Sequence, residues 1–105
     1  MEIRLLDGSI KTSQAEYDYV MKKIGAAAGR LGDAVCTIDV RLTDLNGPKG
    51  GIDKQCSIVV TPPGLGTLRV EETAAEYYAA IDAAATTLKK SLARSLERTK
   101  ANGPR

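Results

Sequence analysis

Histidine is absent from this 105-residue chain, as are phenylalanine and tryptophan. Losing histidine removes the commonest general acid–base group and the commonest transition-metal ligand, which weakens the case for an enzyme, although carboxylates or lysines could still do such work. Four tyrosines are the only aromatics, so the core has to be assembled from Ala, Val, Ile and Leu. No apolar run approaches the roughly 20 residues of a membrane helix. The opening MEIRLLDGSI is charged and too short for a signal peptide, so the expected compartment is the cytoplasm. There is no CxxC pair, and Cys36 and Cys56 read as small buried residues on strands. A reducing compartment disfavours a disulfide between them.

Acids are scarce at one end of the chain. From Leu88 to Arg105 six cations face the single acid Glu97, a net +5, and the remainder of the +2 chain therefore stands at −3. A basic segment on a mildly acidic body suggests an end that faces a polyanion. The length suits one domain with a single modest core, so residues 1–105 are expected to fold as one unit without repeats.

Hydrophobic periodicity gives the order β-α-β-β-β-α. Glu2 to Leu5 alternates as a short strand before the Asp7-Gly8 turn. Ser13 and Glu16 form a capping box for a first helix whose stripe runs Tyr17, Val20, Ile24, Ala27 or Ala28 and Leu31, ended by Gly32-Asp33. Cys36, Ile38, Val40 and Leu42 alternate with polar residues, as do Cys56, Ile58 and Val60, and Thr67 to Glu71 supplies a fourth strand. A second box, Thr73 and Glu76, is expected to cap a helix striped by Tyr77, Ile81, Ala84 or Ala85, Leu88, Leu92 and Leu96. A four-stranded sheet with both helices on one face buries every one of these stripes, which makes the fold class α+β.

Between the second and third strands lies RLTDLNGPKGGIDKQC, Arg41 to Cys56, with about nine connecting residues where a plain hairpin needs two to five. Such excess length is usually functional. Gly47, Gly50 and Gly51 allow close backbone approach, and Lys49 and Lys54 add two cations that could meet a polyanion. Asp44, Asn46 and Asp53 look superficially like a calcium loop, but no glutamate closes the twelve-residue frame, so no metal is expected. GPKGG lacks the P-loop's spacing and its Lys-Ser/Thr ending, and no cofactor is expected either.

Lys90, Arg94 and Arg98 recur every fourth residue along one face of the second helix, with Lys89 beside them. A solvated face that complements the helix dipole is the plain reading. The near-absence of interleaved acids favours phosphate contacts, because purely solvating helices mix signs. Lys22, Lys23 and Arg30 lie on the first helix away from its apolar stripe, and two helices packed side by side could merge these cations into one basic surface. Tyr77 is expected in the core and Tyr78 partly exposed, where it could stack a base.

DLNGPKGGIDKQC, followed after the fourth strand by EYYAAIDAAATTLKKSLAR, resembles the ribosome-associated hibernation factors. These are also called ribosome-associated inhibitors, ribosomal subunit interface proteins and, from an older assignment, sigma-54 modulation proteins. The most specific piece is YAAID, Tyr78 to Asp82, and the resemblance covers essentially the whole chain. It implies a fold like the double-stranded-RNA-binding domain with an added first strand. It also implies binding to small-subunit ribosomal RNA in the channel used by messenger and transfer RNA, and inhibition of translation under stress. On that resemblance the RNA contacts would include Lys22, Lys23, Lys90 and Arg94; charge and position add Arg30, Lys89 and Arg98 as expected phosphate contacts, with Lys49 and Lys54 reaching from the loop. Ala26, Ala27 and Ala28 thin the family's basic track on the first helix. The chain reads as a short form, without the extra domain by which long members pair two ribosomes.

Two other readings stay open. One is a protein-interaction module, using the exposed sheet face through Thr37, Asp39, Arg41, Ser57 and Val59. The other is a small enzyme that clamps its substrate with the NGPKGG loop, which would need a pocket with convergent polar groups.

Overall fold

The computed structural model describes residues 1–6, 12–31, 36–45, 53–61 and 66–101, with backbone alone for Arg30 and 95–101. Strand β1 (Glu2–Leu5) leads to helix α1 (Gln14–Ala27) and a 3₁₀ turn (Gly29–Leu31). Then come β2 (Thr37–Asp44), β3 (Lys54–Thr61), β4 (Leu68–Ala74) and α2 (Tyr77–Ala101). The sheet order is β1-β2-β3-β4, parallel between β1 and β2 and antiparallel elsewhere. This is the α+β fold that the alternating strands and helical stripes require.

Period-two alternation puts Ile38, Val40, Leu42, Cys56, Ile58, Val60 and Val70 on one face, all nearly or fully buried. Val20, Ile24 and Ala27 of α1 meet Ile81, Ala84, Leu88 and Leu92 of α2 over that face in one core cluster. Small side chains at Ala80, Ala84 and Ala85 let the helices approach each other and the sheet closely. Both thiols are free and buried. Burial pushes the Cys56 thiol up to about 12, so it stays protonated and behaves as a small hydrophobe.

Several element ends and one inward position differ from the sequence expectation, each for a local reason. The Ser13 box forms as expected: Glu16 N–H donates to Ser13 Oγ at 3.1 Å and Ser13 N–H to Glu16 Oε1 at 3.0 Å. The α-helix, however, stops at Ala27, short of the expected Gly32-Asp33, which lies outside the described residues. A 3₁₀ turn through the weak helix former Gly29 tightens the chain there, and Leu31 N–H donating to Ala28 O at 2.9 Å still brings Leu31 into the core. Tyr17, expected in the stripe, is exposed in the first turn. Tyr19, turned towards α2, is the ring that packs on the core from this end of the helix.

The second expected capping box does not form. Thr73 stands opposite Gln55 in the β3–β4 ladder, because β4 runs on to Ala74 instead of stopping at Glu71. A β-branched residue with a strand partner is better placed in the sheet than at a cap. The helix begins instead at Tyr77, with Glu76 C=O accepting from Ala80 N–H at 3.0 Å.

Candidate nucleic-acid interface

Helix α2 is buried along Ile81, Leu88 and Leu92, so residues about half a turn away must face solvent. Lys89, Lys90 and Arg94 are exposed, and none of the three has a carboxylate partner among the described residues. The helical backbone continues through Ala101, which sets Arg98 one turn beyond Arg94 on the same row; its side chain lies outside the description. Among the described residues, Lys89, Lys90 and Arg94 have no ion pair that would have to break before they could meet a phosphate.

On α1 the expected cations separate. Lys22 is exposed, whereas Lys23 turns into the seam between the helices. Its Nζ lies 3.6 Å from Asp82 Oδ1 and 5.6 Å from the centre of the Tyr19 ring. Tyr19 Oη donates to the same Asp82 oxygen at 2.6 Å, and its ring meets Tyr78 edge-on at 4.9 Å. The bond to Asp82, helped by burial, raises the Tyr19 hydroxyl above its ordinary range. The outer faces of α1 and α2 are therefore joined at a point that carries a carboxylate, and Lys23 is partly neutralised there. Arg30 sits in the 3₁₀ turn, and its side chain is outside the description.

Lys54 is the first residue of β3. Its Nζ lies 2.8 Å from Asp53 Oδ1 and 3.4 Å from Asp44 Oδ2, and 6.0 Å from the Tyr77 ring centre. The hydrogen bond to Asp53 raises the Lys54 ammonium above its ordinary range, against an opposing effect of burial. An ammonium thus stands between the two carboxylates that suggested a cation loop. Among the described residues no group of three His, Cys, Asp or Glu is placed to hold a metal ion. Lys49 and the rest of the NGPKGG segment lie outside the described residues.

The open face of the sheet is polar and mixed in sign. Asp39 accepts a two-pronged bond from Arg4 across the parallel pair, at 2.7 and 3.0 Å. Next to it run the registers Asp39–Val59–Arg69 and Arg41–Ser57–Glu71. Val59 is the one apolar residue in these two rows, so among the described residues they offer no continuous patch to an apolar partner. An open depression of about 420 Å³ lined by Met1, Glu2, Cys36, Thr37 and Thr61 shares no residue with the basic row. No helix of the described residues is long and apolar enough to cross a membrane.

Two groupings escape sequence reading: the Tyr19–Asp82–Lys23 seam and the bond from Thr87 Oγ1 to Glu72 Oε2 at 2.7 Å, which ties α2 to β4. Tyr78 and Asp82, one turn apart beside the Ile81 stripe, mark the flank of α2 that meets α1, but that becomes legible only once the helices are known to pack together.

Fold and surface together define a small α+β module with a cationic last helix lying over a four-stranded sheet. The chain belongs to the sigma 54 modulation protein / S30EA ribosomal protein family, whose model matches residues 7–100. Among solved structures it is similar to the N-terminal domain of Thermus thermophilus Protein Y, at 36% identity and a TM-score of 0.71 over 90% of this chain and 98% of that one. A ribosomal subunit interface protein from Coxiella burnetii shares the fold, with a TM-score of 0.75 at 19% identity over 90% of this chain and 96% of that one. Among curated proteins no sequence matches the chain.

Proposed function

We propose that this protein binds the small ribosomal subunit through its RNA and inhibits translation by occupying space that substrates need. The observation that carries this reading is the row Lys89, Lys90 and Arg94, exposed and without a carboxylate partner among the described residues, on a helix whose opposite face is wholly committed to the core. Family membership supplies the ribosomal context. Lys22 extends the surface on α1, Lys23 joins it once its bond to Asp82 yields, and Arg30, Arg98 and Lys49 are the further cations assigned to phosphates.

The domain works as one ribosome-binding unit in the cytoplasm, without a cofactor and without catalysis. A rigid helix bearing regularly spaced cations suits A-form RNA, which proteins recognise mostly by shape and through phosphates and 2′-hydroxyls. Inhibition then needs only occupancy. Adding the purified protein to a cell-free translation reaction should lower peptide synthesis in step with the fraction of small subunits occupied. Undiminished synthesis at full occupancy would remove the steric mechanism.

A further inference from the structure

We propose that Lys54 is a positioning residue: its ammonium staples the two ends of the β2–β3 connection to each other, and it is not itself a phosphate contact. The proposal rests on the RNA-binding reading above for its functional consequence, and on geometry alone for the staple.

Asp44 and Lys54 are the last register pair of the β2–β3 ladder. Immediately beyond them Leu45 N–H donates to Asp53 C=O at 2.8 Å, so the connection leaves and re-enters the sheet at fixed points. Asp53 is fully buried, a costly place for a carboxylate unless a countercharge is present. Lys54 supplies it at 2.8 Å and reaches Asp44 with the same nitrogen at 3.4 Å. The face of Tyr77, the first residue of α2, lies 6.0 Å from that nitrogen, so the cluster also meets the start of the last helix.

The cluster has little hydrogen bonding to spare. Asp53 Oδ2 and Tyr77 Oη are shielded from solvent and find no partner among the described residues. An ammonium has three donors, and the two carboxylates each lie within reach of this one. Moving the ammonium out to a phosphate would strip Asp53 of its countercharge, a penalty that does not arise for the exposed Lys89 and Lys90. The Asp at one end of the DLNGPKGGIDK stretch and the Asp-Lys at the other thereby acquire one shared role: they close its root.

Two readouts on Lys54→Met, Asp53→Asn and the Asp53→Asn/Lys54→Met double variant decide the matter. One is hydrogen exchange of the Leu45 amide by NMR; the other is affinity for small ribosomal subunits across a salt series. The staple predicts lost Leu45 protection in all three. It also predicts several-fold weaker binding with the salt slope of the parent protein, because no phosphate contact has gone. The double variant removes the buried charge with its partner, so it keeps the test alive if Lys54→Met does not fold. Retained Leu45 protection overturns the proposal, and so does binding of parental strength in variants that have lost that protection. A salt slope shallower by about 0.7 in Lys54→Met, or tighter binding in Asp53→Asn as a freed ammonium reaches RNA, overturns it equally. If the parent protein binds no subunits at any salt, the ribosomal reading fails, while Leu45 exchange still decides the staple.

Discussion

Lys90→Glu/Arg94→Glu should lose co-sedimentation with small ribosomal subunits, with affinity down by about 100-fold or more at low salt. Both side chains are exposed on the face of α2 opposite Leu88 and Leu92, so under the proposed RNA binding the reversal would remove two phosphate contacts and set two repulsions in their place. Melting should barely move, because surface substitutions away from caps and cores usually stay within about 0.5 kcal/mol. That pairing of lost binding with an intact fold separates the RNA reading from its main rival. A protein-interaction module working through Thr37, Asp39, Arg41, Ser57 and Val59 would keep its partner in this variant, since those residues lie on the far side of the sheet from α2.

Leu88→Ala should unfold the protein far more easily, by about 3 kcal/mol, within the range for truncating a buried leucine. Leu88 is fully buried in the cluster that joins α2 to α1 and to β3 and β4. The core contains no Phe or Trp, and the alanines at 80, 84 and 85 have little volume with which to fill the space left behind. For a domain of about this size the loss corresponds to a fall in Tm of about 15 °C, read by thermal melting followed by circular dichroism. A fall of only one or two degrees would mean that α2 is not seated on the core through this residue.

What was legible in the sequence was local or strictly periodic. Ser13 and Glu16 cap α1 because both halves of the box lie within one turn, and Ile38, Val40 and Leu42 face inward because a half-buried strand leaves no other register. Thr73 and Glu76 show the same letters as a cap, yet Thr73 has a cross-strand neighbour in Gln55, and that competition depends on a ladder no local window contains. The end of α1 is not legible in the sequence because a 3₁₀ turn keeps Leu31 buried with nearly the spacing of a helix.

Among the candidate cations, Lys89, Lys90 and Arg94 stand where helical spacing put them, on an outer face decided by the stripe behind it. Lys23 and Lys54 are equivalent to these by charge, but each is paired with a carboxylate, Lys23 at the exposed seam between the helices and Lys54 in a largely covered cluster. Asp82 comes from a helix 59 residues further along the chain than Lys23, and Asp44 from the neighbouring strand opposite Lys54. Charge counting treats every lysine alike, while the fold divides the described ones into those with a carboxylate partner and those with none among the described residues.

The most direct test of the account is the salt dependence of binding between the unmodified protein and small ribosomal subunits. If about six phosphates are neutralised, the logarithm of affinity should fall against the logarithm of salt concentration with a slope of roughly −4, using about 0.7 per contact. A slope near zero, or no binding even at low salt, would contradict the claim that the cations of α1 and α2 hold this protein on RNA.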